Sequence, residues 1–265
     1  FDGKPKLLPD GSVDYWSVHS IESVTAGQVL AVYHPAVSGE DGMSVKGRLV
    51  PAKHGREQMP LKGKGFDRMD DEVTYTASMD GKIEMQNDRI VVLPVHEVSG
   101  NAELAEGNID FRGDIVIHGN VESGVNIRAT GSITIDGVAE ACMLEAGKDI
   151  ILRGGMLGGN KASVKTKGAI TAKFFEFTNI LCEGDLQADV LMDCSVICHG
   201  QIRLTGRKGS IIGGKVQAIR GLIATSLGND AEKRTEIFVG AGIDVYSRLR
   251  VMVKKIETTR EELAK

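Results

Sequence analysis

The group Cys194-x3-Cys198-His199, with Cys182 upstream, is the nearest approach in this chain to a metal-binding motif. Thiolates and an imidazole can complete a tetrahedral zinc set. Strand parity opposes that chemistry: Cys194, Val196 and Cys198 fall on one face of an extended segment, while His199 points to the other. The cysteines therefore read as small apolar fillers of a narrow core, and no metal is expected.

Two glycine-rich runs, GGMLGGN (154–160) and GRKGSIIGGK (206–215), could cradle an anion in a backbone nest, with Lys161, Arg207, Lys208 and Lys215 as charge partners. Neither has the spacing of a nucleotide-binding loop or leads into a convincing helix, so turn and bulge geometry is the expectation and no cofactor is implied. Carboxylates at Asp110, Asp114, Asp136, Glu140, Glu145, Asp149, Glu183 and Asp185 would serve a carbohydrate lyase or hydrolase only if two met in a groove. They fall largely at turn positions, which suits a solvated face. His34, His54 and His96 lack any ligand or nucleophile spacing. Lys46 and Arg48, at alternate positions among Gly39, Gly42 and Gly47, could face a partner. In Ala172-Lys173-Phe174-Phe175-Glu176-Phe177, continuing the inward set Ile170 and Ala172 puts Phe174 inside and exposes Phe175 and Phe177 as an interaction site. The alternative is a bulge, or an adjoining segment, that returns one of the pair to the core.

The elements that must carry these residues are set by a repeat. Short runs such as GDIVIHG, GSITIDG and GKDIILRGG recur, with apolar anchors Ile115, Ile133, Ile150, Ile170, Leu186, Ile202 and Ile223 spaced 16 to 21 residues apart. One unit cannot bury its own apolar face, so the units must stack as a solenoid. Within each unit the period is two: Ile115 with Ile117, Ile133 with Ile135, Ile150 with Leu152, Ile202 with Leu204. Glycines bound the strands where a coil turns sharply. All six prolines lie at or before Pro94, leaving a ladder whose backbone N–H groups are intact. The expected fold is mainly β: a right-handed, single-stranded parallel β-helix with an N-terminal β-rich domain and a C-terminal helix.

Residues 1–100 form the first zone, with Val29–Tyr33, Val73–Thr76 and Ile90–Val95 as strands and Asp80-Gly81 and Asn87-Asp88 as turns, mostly antiparallel. The β-helix is assigned to 101–243. Residues 244–265 begin a helical segment whose stripe, Leu249, Met252 or Val253, Ile256 and Leu263, fits either the start of a coiled coil or a terminal helix packed on the last rungs.

A net charge of −4 gives no general signal for polyanions, and no apolar run is long enough to span a membrane. Four cysteines in apolar contexts favour a reducing compartment. The chain opens on Phe1 and reads as a piece of a longer protein.

The stretch 107–159 (GNIDFRGDIVIHGNVESGVNIRATGSITIDGVAEACMLEAGKDIILRGGMLGG), followed by KGSIIGGKVQA (208–218) and TEIFVG (235–240), resembles the bacterial flagellar assembly protein A family. HPAVSGEDGMSVKGRLV (34–50) and the stretch 77–94 are similar to that family's amino-terminal region. A fainter likeness links the Gly-Asp-Ile units to the carboxy-terminal β-helix of the cell-division inhibitor MinC. The first resemblance implies a bacterial cytoplasmic protein without established catalytic residues, acting with flagellar or cell-pole proteins and recruited to the pole. The functional expectation is a non-catalytic scaffold or regulatory interaction module, self-associating through its C-terminal helix. The alternatives are a polysaccharide-active β-helix enzyme and an oligomer-forming structural solenoid.

Overall fold

The Gly-bounded repeat winds into a parallel β-helix of about eight turns in a computed structural model, which describes residues 6–7, 13–14, 23–87, 89–206, 208–240 and 252–256. Chain contacts separate two compact units, Ile21–Val95 and a second containing His96–Lys265.

Each turn of the helix has three sides. The first face stacks eight strands: Val95–Val98, Asp114–Ile117, Ile133–Ile135, Ile150–Leu152, Ile170–Ala172, Leu186–Ala188, Gln201–Leu204 and Gly221–Ile223. Ile115, Ile133, Ile150, Ile170, Leu186 and Ile202 lie one above another, and all are fully buried. The last expected anchor is displaced by one residue. Ile202 pairs with Leu222, so Ile223 points outward and is 51% exposed. Adjacent apolar residues at 222 and 223 leave the parity ambiguous in sequence, and the register decides it.

The second face begins with Ile109–Phe111, Asn126–Ala129 and Met143–Ala146. It continues through the later halves of the long strands Met156–Thr166, Phe174–Cys182, Val190–Cys198 and Ser210–Ala218, and ends at Thr235–Val239. The earlier halves of those long strands form a short third face, whose inward stack runs Ala102, Val121, Ala139, Met156, Phe175, Leu191 and Ile211, with Leu227 next in register but 58% exposed. Where the short face bends into the second, Ala141, Asn160, Phe177, Asp193, Gly213 and Gly214 all adopt φ between 35° and 78°. A left-handed residue at this corner bends the strand from one face onto the next and resets the inward–outward alternation.

Side chains at the other corners join the rungs. Asp114 Oδ1 accepts the Ser132 N–H (2.7 Å), Asp149 Oδ1 that of Ala169 (2.7 Å), and Asp185 Oδ1 that of Gln201 (2.8 Å). Asn101 and Asn120 do the same for Asn120 and Val138, each at 2.8 Å. These polar residues satisfy backbone donors that the turns leave outside the ladder.

The unit Ile21–Val95 is mostly antiparallel. One sheet orders Ser23–Val24, Gly81–Gln86, Arg89–Leu93 and Gly63–Lys64, the last pairing being parallel; the other orders Val29–Val32, Thr74–Ala77 and Phe66–Arg68. Val24, Ala77 and Val92 form a small core, with Leu30 and Ile83 against it. Between the sheets' strands, residues 34–56 leave as a thin arm that doubles back on itself. At its base the Tyr33 hydroxyl donates to Glu57 Oε1 (2.9 Å). Midway, Asp41 Oδ1 accepts the Ala52 N–H (2.7 Å), and the arm ends in the hairpin Gly42–Met43 with Leu49–Val50. Gly47 turns the tip with φ 72°.

Residues 252–256 are helical, with Met252, Val253 and Ile256 exposed. Leu249 and Leu263 of the expected stripe lie outside the described residues.

Candidate functional site

The cysteines take inward places, as parity requires. Cys142, Cys182, Cys194 and Cys198 are free and buried, Cys182 pairs in register with Cys198, and His199 is exposed on the opposite side. Burial pushes the Cys142 thiol up to about 12 and Cys194 up to about 11. Cys182 is raised as well, first by its hydrogen bond to Cys198 and then by burial. The same contact lowers Cys198, so burial of all four side chains, helped by the raised pKa of Cys142, Cys182 and Cys194, is what keeps thiolate from reagent. A thiol reagent at about pH 8 is therefore expected to label none of the four cysteines in the folded protein and all four in denaturant. Rapid native labelling, read by mass spectrometry, would show that the core is open at that position. Among the described residues no group of three or more His, Cys, Asp or Glu side chains could hold a metal ion.

Six of the eight candidate carboxylates are dispersed among structural tasks, and Glu140 and Glu183 make no side-chain contact of that kind among the described residues. Asp114, Asp149 and Asp185 cap rung corners, as above. Asp136 lies between His118 Nδ1 (2.9 Å) and Arg153 (3.0 Å). Asp110, Arg128, Glu145 and Lys165 are outward neighbours on four successive strands and alternate in sign, with Arg128–Glu145 at 3.0 Å and Lys165–Glu145 at 3.4 Å. The hydrogen bond from Arg128 holds the Glu145 carboxyl below its ordinary pKa. Glu145 thus adds stability above the unfolded pKa, lost as pH falls through the lowered folded value; exposure keeps the effect small. Each carboxylate of this ladder meets a cation on the next rung. Asp110 and Glu145 line one cleft, but Arg128 lies between them and pairs with both, which is not the open carboxylate pair a glycosidase needs.

The aromatic run is a correction. Phe175 is fully buried beneath the short face, between Met156 and Leu191, and so cannot belong to an exposed pair. The bend at Lys173 inserts an extra outward position after Ala172, so Phe174 faces out half-buried and Phe175 faces in. Phe177 occupies the left-handed corner with φ 46° and is half-buried. The Lys233 ammonium lies 5.5 Å from its ring centroid and also pairs with Asp193, the left-handed residue one turn later. A bulky residue held at positive φ is strained, and such strain persists only where surrounding contacts impose it. Phe177, Asp193 and Lys233 thus form a fixed aromatic, anionic and cationic knob on one edge of the solenoid. Sequence reasoning found Phe177 but missed Asp193 and Lys233, because the contact depends on a corner that no periodicity announces.

The candidate anion contacts do not converge. Lys161 follows Asn160 at one corner, Lys215 is three rungs further along the second face with its ammonium 5.3 Å from the Phe238 ring centroid, and Lys208 precedes the short-face strand Ser210–Ile212. Arg207 lies outside the described residues. All but one of the glycines of both runs answer to close packing: a Cβ on Gly155 would meet the Phe174 ring at 2.5 Å, and one on Gly214 the Cys194 carbonyl oxygen at 2.2 Å, whereas Gly159 has room and is held by its φ of 54°. Lys46 and Arg48 are exposed at the tip of the arm.

Residues 94–265 match the family described as the Flagellar Assembly Protein A beta solenoid domain, and residues 2–88 match the N-terminal region of the same family. The chain belongs to this family. The two matches meet the solenoid and the β-rich unit seen in the fold, and they agree with the family named by sequence resemblance. Neither a curated protein nor a solved structure matches the chain. Among the described residues no helix is long and apolar enough to cross a membrane.

Proposed function

We propose that this chain is a non-catalytic scaffold that holds a protein-binding surface at a fixed place along a stiff solenoid. Family membership supplies a flagellar context and a cytoplasmic setting. The observation that carries the scaffold reading is the commitment of much of its polar chemistry to structure: corner carboxylates cap backbone donors, and the outward charges of the second face neutralise one another rung by rung. The partner is a protein of flagellar assembly or cell-pole organisation, and Phe177 with Lys233 forms part of the contact, since a rigid aromatic with a charged rim is suited to anchor an interface.

Affinity capture of the intact protein from its native host tests this. Flagellar or pole-organising proteins should be recovered with the parent and lost with Phe177→Ala combined with Lys233→Ala, while a fluorescent fusion should gather at the pole. Capture indifferent to both changes would remove the corner from the contact. Turnover of a bacterial glycan by the purified protein would overturn the scaffold reading itself.

A further inference from the structure

The arm 34–56 is the part of the described chain least accounted for by its own packing. Within it only Ser44 and Ala52 are even partly covered. Met43, Val45 and Leu49 are 74%, 106% and 65% exposed, at and beside the hairpin tip that carries Lys46 and Arg48. A lone two-stranded ribbon is marginal in water, and its free edges and bare aliphatics need a surface. The arm holds Lys46, Arg48, Lys53 and Arg56 against Glu40 and Asp41, a net charge of +2 in a chain of −4, so the remainder carries −6.

A matching surface exists on the short face of the solenoid. Its outward column runs Glu140, Leu157, Glu176, Met192 and Ile212 on successive strands. Leu157 is 41% exposed, and neither Glu140 nor Glu176 has an ion pair among the described residues. The column contains no cation. Two rungs separate the carboxylates by about 10 Å, within reach of two long cationic side chains placed two residues apart.

We infer that the hairpin of one copy docks on this acidic and apolar column of a second copy, Lys46 and Arg48 meeting Glu140 and Glu176 while Met43, Val45 and Leu49 cover Leu157, Met192 and Ile212. A two-fold pair makes the contact twice, exchanging arms. Arm against arm is disfavoured because it would bring the cationic tips together. The inference is independent of the flagellar partner proposed above.

Sedimentation equilibrium of the full chain decides it. The parent should show the mass of two chains at micromolar concentration, weakening as salt is raised. Lys46→Glu with Arg48→Glu, and separately Glu140→Lys with Glu176→Lys, should each weaken association by about tenfold or more, and the four changes together should restore it. All of these residues are outward, so unchanged thermal melts would verify that each variant is folded. A parent of single-chain mass overturns the inference, as does a dimer indifferent to either pair of changes or a four-change variant that stays apart. A monomeric parent whose tip binds anionic vesicles or an acidic protein also overturns it, giving the hairpin to that partner.

Discussion

Ile150→Asp is expected to unfold the solenoid or shorten it to the rungs on one side of the substitution. Ile150 is fully buried and stacked directly between Ile133 and Ile170, so the new carboxylate would have apolar neighbours above and below and no partner. Burying an unpaired charge is among the few single changes that cost several kcal/mol, here about 4 or more. The solenoid architecture concentrates the damage: each turn is held by its two neighbours, and a disrupted turn interrupts the ladder on both sides. Circular dichroism with thermal melting should show loss of strand signal or a large fall in melting temperature. Thr171→Asp, at the exposed outward place on the adjacent strand, should melt within about 0.5 kcal/mol of the parent. Equal melts for the two variants would mean that the inward face has been assigned wrongly.

The first face was legible because its chemistry is redundant. Ile133, Leu186 and Ile202 each offer one apolar inward choice between polar neighbours, which sets the parity for Ile115, Ile150 and Ile170 on the same face, and a period of two survives any uncertainty in loop length. The short face was not, because the bend that leads into it shifts the alternation that was carried through it. Extending the parity of Ile170 and Ala172 across Lys173 exposed Phe175, whereas the bend there adds a residue and buries it. The charge ladder Asp110, Arg128, Glu145, Lys165 was hidden for a related reason. Its members lie 17 to 20 residues apart at unequal intervals, so only the hydrogen-bond register reveals them as neighbours. The arm at 34–56 escaped because proline, glycine and scattered aliphatics there follow no period; Lys46 and Arg48 were visible as charges but not as the tip of a projecting hairpin.

Gly184→Ala is expected to be costly although it adds one methyl group and forces no unusual backbone angle. Gly168, Gly184 and Gly200 stack at the same corner of successive turns, the Gly184 N–H donating to the Gly168 carbonyl at 2.9 Å and its own carbonyl accepting from Gly200 at 3.1 Å. A Cβ at position 184 would lie 2.6 Å from the Gly168 oxygen and 2.7 Å from its carbonyl carbon. Those are backbone atoms of the adjacent rung and cannot swing away as a flexible side chain would. Relief requires the two turns to part, which stretches the ladder bonds of both faces beside the corner, and overpacking of this kind costs about 1–3 kcal/mol. Gly100 supplies the control: it is also a turn glycine at the start of the solenoid, yet a Cβ there would meet nothing within 4 Å. Gly100→Ala should leave the melt unchanged or slightly raised through reduced freedom of the unfolded chain, while Gly184→Ala lowers it by several degrees. A Gly184→Ala protein as stable as the parent would show that the rungs can separate at the corner without loss, and would deny the glycine stack its part in fixing the distance between turns.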